Sequence, residues 1–103
     1  MSQTEMERRR DAEAQIRATM MNELCGIMHK LGLPPMMVLH LAARSIGTIY
    51  REMADVHSGI DPCSCGWRPH PLTDVEVLGM ALMTACEQRR TNDLLQMRVI
   101  GTA

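Results

Sequence analysis

The chain has 103 residues, 46% of them hydrophobic and 22% charged, and 11 basic groups against 12 acidic ones leave a formal net charge of -1. That length implies one domain with a modest core, and the balanced charge supplies no general basic field for nucleic acid. There is no apolar run of the about twenty residues that a membrane span needs, the first residues are polar rather than those of a secretion signal, and four unevenly spaced cysteines do not make a secreted disulfide framework, so a cytoplasmic protein with reduced thiols is expected.

Residues 4 to 31 read as the first helix. Thr4 and Glu7 form a capping box, and Glu5 places a carboxylate in the first turn. Ile16, Met20, Leu24, Ile27 and Leu31 recur at spacings of three and four, which predicts one apolar stripe. Met21, Cys25 and Met28 widen it. Lys30 suits the negative end of the helix dipole, and Gly32 followed by Pro34 and Pro35 stops the helix. The run Arg8-Arg9-Arg10 is flanked by Glu5, Glu7, Asp11 and Glu13, so it reads as a solvated face rather than a nucleic-acid contact.

Residues 35 to 57 read as the second helix, opened by proline at its first position. Leu39, Ala42, Ile46, Ile49, Met53 and Val56 step three and four in strict alternation, the cleanest heptad pattern in the chain. His40, Arg44, Gly47 and Arg51 share the opposite side, which makes His40 a solvent residue. Gly59 ends the helix and leaves His57 on its last turn, facing the loop.

Residues 57 to 72 are a long connection with a distinctive composition. His57-x5-Cys63-x-Cys65-x4-His70 offers two thiols and two imidazoles within fourteen residues, a donor set that matches tetrahedral zinc. One zinc ion per chain is expected, held by Cys63, Cys65, His57 and His70. Asp61 is an alternative to a histidine, and Cys25 with His29, four apart on the first helix, is a weaker pair. Gly66 allows a tight turn in which backbone N–H groups approach the sulfurs. Pro62, Pro69 and Pro71 stiffen the approaches, and Trp67 is placed to cover the metal. Two other readings compete. Cys63 and Cys65 can be free thiols beside an ordinary core, or a strained, easily reduced dithiol, although C-x-C is not the familiar redox spacing.

Residues 73 to about 98 read as the third helix, with Thr73 and Glu76 as a second capping box and Leu72 with Val77 as a hydrophobic staple. Val75, Leu78, Leu82 and Ala85 continue as a core stripe, Cys86 reads as a buried thiol, Thr91-Asn92-Asp93 is a point where the helix breaks or kinks, and residues 99 to 103 read as a frayed tail. The whole is expected to be all-α: a small three-helix bundle or helical hairpin with a long Cys/His-containing loop between the second and third helices.

There are 11 methionines and no phenylalanine. Methionine is a soft filler that suits adaptable recognition surfaces, and Met36, Met37, Met80 and Met83 lie beyond the narrow stripes. The functional expectation is a non-enzymatic helical adaptor or regulator, stabilised by structural zinc and acting through methionine-rich faces on another protein or on a second copy of itself as a homodimer. Metal sensing or handling, of copper or zinc, and a redox dithiol are the alternatives. No Gly-rich phosphate loop, nucleophile elbow or H-E-x-x-H speaks for an enzyme. With 2% aromatic residues there is no stacking platform for nucleic acid.

Overall fold

The computed structural model describes the backbone of residues 3–101 and the side chains of residues 3–88. It is all-α: α1 spans Glu5–Leu31, α2 Pro35–Val56 and α3 Pro71–Gly101, with the long Cys/His loop between α2 and α3. The chain divides into two compact units, Met1–Met53 and Ala54–Ala103.

The first unit is a helical hairpin made by a three-residue connection, which turns α2 back along α1. Thr4 caps α1 as its sequence predicts, its hydroxyl accepting from the Glu7 N–H at 3.1 Å. Gly32 ends it in the left-handed conformation, φ 63°, with its N–H donating to the Met28 carbonyl. Leu33 N–H donates to the same carbonyl. The Pro34 carbonyl then accepts from the N–H groups of Met37 and Val38, so the first turn of α2 begins without orphan donors at those positions.

The covered face of this hairpin coincides only in part with the face that periodicity predicts, mainly on α1. Val38 is the one fully buried apolar residue among the described side chains. Met20, Leu24, Cys25 and Met28 on α1 and Ala42 and Tyr50 on α2 are half-buried. Apart from Ala42, the heptad stripe of α2 stays outside: Leu39 is 54% exposed, Ile49 52% and Val56 63%. On α1, Ile16 and Leu31 are likewise exposed. The reason is geometric. A two-helix contact covers a strip narrower than the apolar arc these helices carry, so most of the arc faces water.

In the second unit α3 begins at Pro71, two residues earlier than Thr73. Proline at the first helical position loses no needed hydrogen bond. The cap is built by His70 and Asp74: the His70 N–H donates to Asp74 Oδ2 at 2.8 Å, and the Asp74 N–H donates to the His70 carbonyl at 2.8 Å. The Thr73–Glu76 box is displaced into the helix by this earlier start, and Leu72 is exposed rather than stapled to Val77. The backbone of α3 runs unbroken through Thr91-Asn92-Asp93 to Gly101, since none of these residues forbids helical angles. The last two residues, 102 and 103, lie outside the described residues, as do the side chains of Leu94, Leu95 and Met97. Val75, Leu78 and Leu82, expected in a core, are all exposed, and so is Cys86. Within this unit a single long helix has only a loop and the end of α2 to cover it.

Candidate metal centre

The loop is positioned from the end of α2. The His57 N–H donates to the Ala54 carbonyl at 3.1 Å, a tightened final turn. This sets His57 one residue beyond α2, with its ring at the mouth of the loop. Ser58 closes the same turn, its hydroxyl donating to the Ala54 carbonyl at 2.7 Å. Gly59 then reverses the chain at φ 91°, a conformation that a Cβ disfavours. The Cys63 N–H returns to the Val56 carbonyl at 3.3 Å, which carries the first cysteine back beside His57. Gly66, at φ 88°, makes the second reversal just after Cys65.

These reversals gather His57, Cys63 and Cys65, whose ligand atoms all lie within 4.8 Å of one another. His57 Nε2 is 3.1 Å from Cys65 Sγ. The ring of Trp67 meets that of His57 edge-on, with centroids 4.8 Å apart and planes at 76°. Trp67 thus holds the imidazole by one side, a favourable T-shaped contact. His57 and Cys63 are half-buried and Cys65 is exposed, so the group opens to solvent on the Cys65 side.

The sulfur of Cys63 has an electrostatic setting of its own. Its thiol is held below the ordinary thiol range, first by a hydrogen bond from the Cys65 backbone, then by the Cys65 side chain, against an opposing desolvation, with the Arg68 guanidinium and the Ser64 backbone contributing less. Backbone donors on a sulfur favour the thiolate, the form that binds metal.

The fit to zinc can be tested on distances. Zinc–sulfur bonds of about 2.3 Å and zinc–nitrogen bonds of about 2.0 Å in a tetrahedron imply donor separations of about 3.6–3.8 Å. The gathered atoms, all within 4.8 Å of one another, stand within about an ångström of such a triangle. The residues present suit a borderline or soft cation: two thiolates and an imidazole.

Of the four donors expected from sequence, the structure brings together three. His70 is not in the group, and it serves instead as the residue that caps α3 with Asp74. Asp61 also stays outside, and Cys25 and His29 belong to α1 in the first unit. What sequence reasoning missed is the His70–Asp74 cap. The signal for it was Pro71, which favours a helix start at its own position.

No protein-family model, no curated protein and no solved structure matches the chain.

Proposed function

We propose that this chain is a small non-enzymatic helical adaptor or regulatory protein that docks on another polypeptide through the apolar face of α2, with its interhelical loop stapled by one structural zinc ion. The observation that carries the reading is the exposure of Leu39, Ile46, Ile49 and Val56, the large members of the heptad stripe, of which the small Ala42 is half-buried. Exposed apolar stripes at heptad spacing are seams for a partner helix. Surplus methionine supports the same reading: Met36 is 73% exposed and lies one turn from Leu39 and His40. A second copy of the chain is the simplest partner, since the stripe is self-complementary and the positions flanking it are nearly free of charge. Among Val38, Ala43, Ser45, Tyr50 and Glu52 only the last is ionised.

The zinc staple answers a separate need. A connection of this length with no regular structure needs a tie in a small domain. The His57, Cys63 and Cys65 donors supply the tie close to the end of α2. No described helix is long and apolar enough to cross a membrane, and thiols kept reduced as metal ligands fit a cytoplasmic setting.

Elemental analysis of purified protein together with its light-scattering mass tests the proposal. It requires one zinc per chain and a mass of at least two chains, or a stable complex with a defined partner that buries α2. A metal-free monomer whose melting is indifferent to chelator rules it out.

A further inference from the structure

We infer that the centre formed by His57, Cys63 and Cys65 keeps its fourth coordination position open and fills it with an external thiolate, either from a small thiol or from a cysteine of another polypeptide. The inference rests on the zinc reading above and gives that site a partner.

Three observations lead to it. First, the loop supplies three donors, while zinc with such ligands is four-coordinate. The nearest imidazole in sequence, that of His70, is not in the group. The carboxylate of Asp61 also stands outside the group. Second, the fourth direction has an access route. Trp67 shields His57 from one side, but Cys65 is exposed, so a donor from outside can approach past it. Third, the donors already present are soft. With two thiolates and one imidazole from the loop, a thiolate from outside completes a set of three thiolates and one imidazole, one of the ligand classes of closed structural zinc sites, and suits the sulfur-rich centre better than a neutral oxygen.

No bond between light atoms is made or broken in this step, apart from the S–H bond. The thiol gives its proton to solvent as its sulfur binds the ion, so uptake of one thiol releases one proton.

The test uses the full chain loaded with cobalt(II) in place of zinc. Sulfur-to-cobalt absorption in the near ultraviolet reports the number of thiolates bound. Titration with 2-mercaptoethanol should raise it by about half, three sulfurs in place of two, and saturate at one thiol per cobalt while the cobalt stays with the protein. His70→Ala should give the same starting spectrum and the same response. If the third sulfur is already present without added thiol, in a sample of doubled mass, the donor is a cysteine of a second copy, and the inference holds in that form. A spectrum indifferent to thiol that changes in His70→Ala means that His70 closes the site, and overturns the inference while leaving the metal staple intact. A chain that takes up no cobalt or zinc overturns the staple itself, and the inference with it.

Discussion

Nε2 of His57 lies 3.1 Å from Sγ of Cys65, although the two residues are eight apart and neither belongs to a helix. The contact is made by two glycine reversals, at Gly59 and Gly66, with the Cys63 N–H tied back to Val56 between them. A loop that returned by chance would not need two left-handed turns to bring sulfur onto imidazole. The contact is also somewhat shorter than the donor spacing of about 3.6 Å in a tetrahedral site, as expected of a hydrogen bond that a cation would replace.

The ligand assignment therefore predicts a graded set of variants. Cys63→Ser, Cys65→Ser and His57→Ala should each weaken zinc binding by more than about 100-fold, since even outer-shell changes cost about 10–100-fold. His70→Ala should leave it unchanged. Competition against a chromogenic chelator measures all four, and a large loss in His70→Ala would put the fourth ligand back at that residue.

A zinc ion held by the folded loop and not by the unfolded chain should stabilise by mass action. At a free concentration about 1,000 times Kd the gain is about 4 kcal/mol, enough to raise Tm by at least about 10 °C in a chain of this size. Hydrogen exchange should place the added protection in residues 57 to 67. Protection that appears only in α1 would mean that the ion binds elsewhere.

Much of this site was legible in the sequence because metal chemistry leaves few choices of residue type. Histidine, two cysteines and a glycine in a short proline-bordered stretch are the groups that a thiolate–imidazole site requires, and three of the four expected donors are gathered. His70 was harder to read: residue type made it a donor, while the sign that it caps α3 was Pro71 beside it, which favours a helix start at its own position. The helices themselves were legible from caps and breakers: Thr4, Gly32 and Pro35 each act where local chemistry puts them. The core was not. Periodicity says which face is apolar, not whether the chain contains a surface to cover it, and Leu39, Ile49, Leu78 and Leu82 are all solvent-facing.

The depressed thiol of Cys63 sets a pH dependence with a definite sign. Its folded-state pKa lies below its unfolded value, so in metal-free protein the stabilisation is present above the unfolded value and is lost as pH falls through the folded one. Alkylation followed by mass spectrometry should show Cys63 gaining reactivity at a lower pH than the same residue in urea. Coincident profiles would remove the backbone donors from the account. Zinc affinity should fall in the acid direction, because protons compete for both sulfurs.

The His70–Asp74 cap makes a prediction independent of metal. Asp74→Ala deletes the acceptor of the His70 N–H and should cost about 0.5–2 kcal/mol, the usual range for a helix N-terminal cap. Asp74→Asn keeps an acceptor oxygen and should recover most of it. Urea denaturation of the zinc-loaded variants reads this directly. A Thr73→Ala variant should have a smaller effect, since α3 has already begun at Pro71.

The α2 stripe gives the most direct test of what the chain does. Ile46 and Ile49 are 45% and 52% exposed, so a carboxylate at either position keeps its water in an isolated chain. Surface changes of that kind usually move stability by no more than about 0.5 kcal/mol. In a paired seam the same carboxylates lose solvent and face apolar side chains, while each isoleucine removed forfeits about 1.5–3 kcal/mol of burial. The double variant Ile46→Glu/Ile49→Glu should therefore reduce the light-scattering mass to that of one chain, with the helical circular dichroism retained. Association of the parent protein should survive high salt, because the flanks carry little charge to screen. A variant that stays associated, or a parent complex that dissociates as salt is added, would move the interface from this stripe to charged surface elsewhere.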